Sequence, residues 1–209
     1  MITRLSKDLD ARTQYKLLAA SIIPRAIAWI TTLDENGHVN LAPFSFFSGV
    51  SNQKPLLSIA IIRDHGQPKD TAANLLATGE GVIHLVTTET AAQMNMTAAS
   101  LPAGESEVAT AGLHLTASTA VAAPSLQEAL VRLEVKLYQH VPIEIAGAIA
   151  TDLFILEVVA FQFDPSVFDP ATAHLDVAAL APLARLAGPQ YATLGPLFSM
   201  TRPDHSSLS

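Results

Sequence analysis

Between Asn40 and Thr71 the chain gathers side chains able to hold a flat heteroaromatic ring at one end and a phosphate at the other. The run Asn40-Leu41-Ala42-Pro43-Phe44-Ser45-Phe46-Phe47-Ser48 sets an amide and two hydroxyls among aromatic rings. Asn40 and Ser45 suit the polar edge of such a ring, and Phe44, Phe46 and Trp29 its apolar faces. Ser58 interrupts the apolar stretch from Pro55 to Ile62, and Lys69-Asp70-Thr71 opens a helical pattern just after Gly66 and Pro68. A helix start presents N–H groups without partners in the helix, and Lys69 adds a point charge, which together favour a phosphate. Each piece alone has a plainer reading. Ser45, Ser48 and Ser58 could be satisfied by nearby backbone, the aromatics could be core, and Asp70-Thr71 could simply start a helix.

Competing chemistries are thin. The chain has no cysteine, which excludes disulfides, thiolate catalysis and cysteine-ligated metals. Histidines at 38, 65, 84, 114, 140, 174 and 205 are scattered without the spacing of a metal site, so no metal is expected. His84, between Ile83 and Leu85, reads as a hydrogen-bonded core residue. No serine sits in a nucleophile elbow, and no glycine-rich dinucleotide fingerprint is present. Glu105 and Glu107 read as solvated loop charge, and Gly79-Glu80-Gly81 as a turn. No catalytic residue is therefore assigned.

The elements that must position these residues are mostly extended. Ala26–Thr32 and His38–Leu41 flank Asn36-Gly37, a strong hairpin signal. Leu56–Ile62 and Gly81–Val86 read as buried strands. Asp70 or Thr71 caps a helix that Gly79 ends near residue 77, and Thr88 or Thr90 caps a second helix carrying Gln93, Met94 and Asn95. Residues from about Leu101 to Ser125 lack a clear period and read as loops with short strands. Leu130–Tyr138, with Arg132, Glu134 and Lys136 on one side, pairs with Asp152–Phe163, and a helix follows from Ala178 to Leu186. The expectation is a mainly β fold, an antiparallel sheet closing into a barrel with peripheral helices, as one domain over residues 1–209.

Composition narrows the partners. The chain is 49% hydrophobic and 15% charged, with a mean hydropathy of +0.33, so another subunit is expected to cover part of its surface. A net charge of −7 argues against nucleic acid and against an anionic membrane. Residues 1–69 nevertheless hold eight Lys/Arg against five Asp/Glu, whereas residues 70–209 hold four against fourteen. The positive charge thus lies with the candidate phosphate seat. The uncharged run Val108–Gln127 is too polar to span a membrane, and the first eight residues lack the apolar core of a signal peptide. The chain reads as cytoplasmic.

An ordered set of segments resembles the flavin reductase-like, FMN-binding split-barrel family. The set comprises Tyr15-Lys16-Leu17-Leu18, Ile23–Thr32, Asn40–Phe47, Pro55-Leu56-Leu57, Lys69-Asp70-Thr71 with Asn74, Glu157-Val158-Val159, and Pro182–Leu186 with Gly188 and Tyr191. The resemblance implies a homodimer of six-stranded split barrels, with flavin near the subunit interface and a C-terminal extension from about residue 165. It implies that Asn40, Ala42, Pro43, Ser45, Phe46 and Phe47 line the ring and ribityl chain, and that Ser58 and Ala60 lie beneath. Lys69 and Thr71, with Arg25, would hold the phosphate, while Arg185 and Tyr191 close the site. The implied activity is transfer of hydride from NADH or NADPH to FMN, with FAD as the alternative flavin, in some members to supply a partner monooxygenase. The second implied role is an FMN-holding electron carrier or sensor. Several reductases carry a histidine two positions before the Pro-Leu of the C-terminal segment, where this chain has Leu180.

Overall fold

In a computed structural model, residues 1–99 and 106–203 are described. A short turn at Ser6–Asp8 leads into helix α1 (Ala11–Ser21), then β1 (Ala28–Leu33), β2 (Val39–Phe44), β3 (Phe47–Gly49), β4 (Leu56–Ile62), helix α2 (Asp70–Thr78) and β5 (Glu80–Leu85). Helices α3 (Ala91–Met96) and α4 (Glu107–Thr110) precede the short ladder of β6 (Leu115–Thr116) and β7 (Ser125–Leu126). The long hairpin β8 (Val131–Ile145) and β9 (Ala148–Phe163) follows. The chain ends with β10 (Phe168–Asp169), β11 (His174–Leu175), α5 (Val177–Leu180), β12 (Ala184–Arg185) and β13 (Tyr191–Ala192). Among the described residues no helix is long and apolar enough to cross a membrane.

One antiparallel sheet of seven strands, in the order β2-β1-β5-β8-β9-β4-β3, carries the fold. Its two edges, β2 and β3, are joined by only Ser45 and Phe46, so the sheet must curl until the edges approach. The Ala60 N–H donates to the Phe46 carbonyl at 2.9 Å and ties that joint to β4. This is the expected half-closed, split barrel. The strand count exceeds the implied six because β3 is a separate short strand.

Alternation along β1 builds two cores from one strand. Ala28 and Ile30 join Ile59, Ile61, Phe154 and Leu156 on the inner side. Trp29 joins Leu41, Met94, Leu126 and Leu183 on the other. Trp29 is fully buried and its indole N–H donates to Thr97 Oγ1 at 2.8 Å, so it is core rather than a wall for a ligand. Gly81 passes so close to β1 that an added Cβ would lie 3.0 Å from the Thr31 carbonyl oxygen. Gly79 supplies the left-handed C-cap of α2 at φ 71°, so Gly79 is the turn while Glu80 and Gly81 already belong to β5.

Four expectations change. The helix from Ala178 to Leu186 is a single turn, Val177–Leu180, because Pro182 disfavours a helical residue before it; Ala181 is left-handed at φ 45°. Leu56–Ile62 is a strand, but only Ile59 and Ile61 are buried, since β3 covers its edge briefly and its outer face lies partly open. Glu134 does not share a solvated face with Arg132 and Lys136. It is fully buried and accepts the Thr119 N–H at 2.7 Å, the Ala120 N–H and the Gln162 amide. These donors offset the desolvation of its carboxylate. Glu107 opens α4 rather than lying in a loop, whereas Glu105, His205 and the segment 100–105 fall outside the described residues.

Candidate functional site

The first group of site residues gathers where α2 starts against β2. Lys69 occupies the N-cap position and makes no side-chain cap, so neither Asp70 nor Thr71 caps the helix. The Ala73 N–H is the first to find a carbonyl, that of Lys69, at 2.9 Å. The N–H groups of Asp70, Thr71 and Ala72 have no acceptor among the described residues. Lys69 is exposed and outside every ion pair of the described residues. Thr71, 1% exposed, accepts the Asn40 amide at 2.7 Å, and Thr32 accepts both Asn40 at 3.4 Å and Asn74 at 3.0 Å. The network fixes Asn40 relative to the helix start, and among the described residues the Asn40 amide oxygen and the Thr71 hydroxyl proton have no partner.

The loop leading into α2 is anchored from the barrel end. Asp152, fully buried, receives Arg63 in a bidentate pair at 2.8 and 3.0 Å and bonds His140 at 2.9 Å. Arg63 also donates to the Gly66 carbonyl at 3.2 Å. Burial pushes the Asp152 carboxyl up, but Arg63 and His140 outweigh it and hold the group below its usual range.

The second group lines a cleft of about 480 Å³ between α1, the end of β2 and the C-terminal segment. Pro43, Phe44 and Ser45 form its floor, and Arg185, Leu186, Gly188 and Tyr191 one side. Arg185 stacks on Tyr191 with its guanidinium carbon 4.5 Å from the ring centre. Arg25 is nearly buried and its guanidinium is already engaged. It donates to the Ala19, Ile22 and Leu186 carbonyls and to Ser45 Oγ, the last at 3.2 Å, so it acts as a strut. Phe46 lies 5.8 Å below that guanidinium and 6.2 Å from the Tyr15 ring.

The expected site residues therefore divide. Asn40, Thr71 and Lys69 meet at α2, while Arg25, Pro43, Ser45, Arg185 and Tyr191 meet at the cleft with Phe46 beside it. Ala42 lies between them on β2. Phe47, Ser58 and Ala60 sit on the β3–β4 edge, where Phe47 pairs with Ile59 and Ser58 Oγ donates to the Ser48 carbonyl at 3.3 Å. Asn40 lies near the start of β2 and Ser45 follows its last residue, Phe44, so five extended residues, roughly 17 Å, separate the two groups.

Residues 20–180 match the flavin reductase-like domain. The chain belongs to the flavin reductase-like family. It is 44% identical to the YwrF protein of Bacillus subtilis (strain 168), over 94% of this chain and 96% of that one. Its structure resembles nitrilotriacetate monooxygenase component B from Bacillus cereus, with a TM-score of 0.92 and 35% identity over 96% of this chain and 98% of that chain. It also resembles the Pseudomonas fluorescens 2-nitrobenzoate 2-nitroreductase NbaA, with a TM-score of 0.86 and 28% identity over 98% of both chains. The family is one of flavin-linked oxidoreductases, and the donor set here fits a flavin. A phosphate finds three unpartnered N–H groups and a lysine at α2, and a flat ring finds amide, hydroxyl and aromatic groups along β2.

Reasoning from sequence missed helix α1, which supplies this flavin reductase-like chain with the remaining wall of the cleft. Arg12, Tyr15, Lys16 and Ala19 stand at i, i+3, i+4 and i+7 and form one stripe. The available signal was Asp10, whose carboxylate accepts the Thr13 N–H at 2.7 Å as an N-cap. His84 is the core residue expected. Its Nδ1–H donates to the Trp29 carbonyl at 2.8 Å, and its Nε2 accepts the Leu126 N–H at 2.9 Å. Complete burial lowers its pKa to about 3, so it stays neutral in the core.

Proposed function

We propose that the protein is an NAD(P)H:flavin oxidoreductase that holds FMN, with its phosphate at the start of α2 and its ring along β2. The observation that carries this reading is the convergence of three unpartnered N–H groups with exposed Lys69 and with the Asn40–Thr71 bond, in a flavin reductase-like fold. Bound flavin supplies hydride acceptance from a nicotinamide. The chain's own part is to bind and orient. Lys69 and the α2 amides neutralise the phosphate, and the Thr71 hydroxyl donates to it. Asn40 presents an amide held in place by Thr71 and Thr32, and Phe46 and Phe47 offer apolar contact. Hydride transfer needs no protein acid or base, which agrees with the absence of a catalytic constellation in the sequence. The FMN-dependent oxidation of NADH and NADPH tests the reading directly; turnover no faster than a protein-free control would overturn it.

The protein is proposed to work as a homodimer. Helix α1 buries only Ala19 and exposes Leu17 and Leu18, with Ile22 exposed at its C-cap, while the β8–β9 hairpin exposes Tyr138, Ile145 and Phe161. Light scattering with size exclusion should give twice the chain mass. Similarity to a monooxygenase component B supports delivery of reduced flavin to a separate oxygenase.

A second reading, an FMN-holding carrier without nicotinamide activity, is favoured by Leu180. It occupies the position where several reductases place a histidine, and it is 3% exposed within the inner core. A protein that keeps its yellow colour through dialysis and is photoreduced, yet is not reduced by NADH or NADPH, would establish this alternative.

A further inference from the structure

Arg12 and Lys16 lie one helical turn apart on the cleft face of α1, and neither has an ion-pair or hydrogen-bond partner among the described residues. Like charges at i, i+4 destabilise a helix, and nothing described in the fold offsets the repulsion here. The lining of the cleft adds Arg185 and Arg25 and contains no Asp or Glu. Of these four cations, Arg25 is engaged by carbonyls and Arg185 by Tyr191 and the Gly188 carbonyl, so Arg12 and Lys16 are the ones free to meet a ligand. Tyr15 lies between them on the same stripe and lines the same cleft.

A pair of cations lining one cleft with an aromatic side chain suits a phosphate monoester on a planar heteroaromatic group. Dinucleotide sites that select NAD place a carboxylate on the ribose 2′-hydroxyl, whereas those that take NADP place an arginine near the 2′-phosphate. The described cleft lining offers the second arrangement and lacks the first.

We propose that Arg12 and Lys16 form an anion seat for the 2′-phosphate of NADPH, so that the protein prefers NADPH to NADH. The proposal rests on the oxidoreductase reading for its turnover test but not for its binding test. No covalent step is involved; the seat acts through charge and hydrogen bonds, Lys16 as a point charge and Arg12 as a fork of donors.

The experiment compares the FMN-loaded wild-type protein with Arg12→Ala/Lys16→Ala and with Arg12→Lys. The wild type should show a kcat/KM for NADPH at least tenfold above that for NADH, and the double variant should lower that ratio at least tenfold. Calorimetry with adenosine 2′,5′-bisphosphate should show binding that adenosine 5′-monophosphate lacks and that the double variant loses, with partial retention in Arg12→Lys. Equal use of NADH and NADPH, or a ratio unmoved by the double substitution, overturns the seat. If FMN affinity falls tenfold in the double variant, these cations hold the flavin phosphate instead, and the proposal is also overturned. If neither dinucleotide is oxidised but the bisphosphate binds as described, the reductase reading fails and the seat stands.

Discussion

The start of α2 and the wall of α1 both present polar groups to ligand space in the proposed reading, yet they are built in opposite ways. At α2, Thr71 and Asn74 are buried, and three side-chain hydrogen bonds link them with Thr32 and Asn40 in one network. On α1 a single residue of eleven, Ala19, is buried, and Arg12 and Lys16 bond nothing in the described chain. A buried network binds with atoms that also hold the fold, so a change there weakens ligand and protein together. Free cations on an exposed helix hold no fold, so a change there alters the ligand alone. The same division separates a preorganised seat from one that a chain can retune.

The largest expected effect lies behind the preorganised seat. Asp152→Ala leaves Arg63 and His140 without their buried partner, so denaturant unfolding should show a loss of about 3–5 kcal/mol. A loss below about 1 kcal/mol would mean that the barrel end does not anchor the loop into α2.

Acid should act first at the buried His84. The folded pKa of His84, about 3, lies below its unfolded value, so the unfolded chain binds the extra proton between the two. The His84 contribution is complete above pH 6.5 and is lost progressively as the pH falls from there toward the folded value of about 3. Asp152, also lowered, loses its contribution only below its ordinary value of 3.8. Trp29, the single tryptophan, contacts His84 through its carbonyl and reports this unfolding by fluorescence. His84→Gln should flatten the profile between pH 6.5 and 4.5; an unchanged slope would assign the titration elsewhere.

Two smaller effects test the division directly. Thr71→Val removes the acceptor of the Asn40 amide, so stability should fall by about 1–3 kcal/mol and FMN affinity should fall with it. Lys69→Ala should weaken FMN binding by about 1–3 kcal/mol while the flavin-free protein melts as before. If Lys69→Ala lowers the melting point and spares FMN affinity, the two ends of α2's first turn have exchanged roles. Titration of flavin fluorescence and a thermal melt of each variant read both quantities.

Much of the frame was legible. Asn36-Gly37 marked the β1–β2 hairpin because Gly37 takes φ 85°, and Asp34 accepts the Asn36 and His38 N–H groups across that turn. Gly79 marked the end of α2 for the same steric reason. Helix α1 escaped because its apolar residues face outward and its cleft stripe is mostly polar, so no buried face announced it. Glu134 escaped because its donors, Thr119, Ala120 and Gln162, lie 14 to 28 residues away, and strand alternation alone put it with Arg132 and Lys136.

What the chain determined by itself is local or compositional: turns, strand alternation, helix stops, a lysine set before a helix, and the exclusion of thiol chemistry. These depend on the backbone preferences of neighbouring residues and need no distant contact. Only the tertiary structure decided that Arg25 would reach the Leu186 carbonyl, 161 residues on, and thereby become a strut. Likewise only the curl of the sheet decided that α1 would wall the cleft above Pro43, Phe44 and Ser45. Such meetings depend on register and on loop closure across the whole chain, and no short window of residues encodes them.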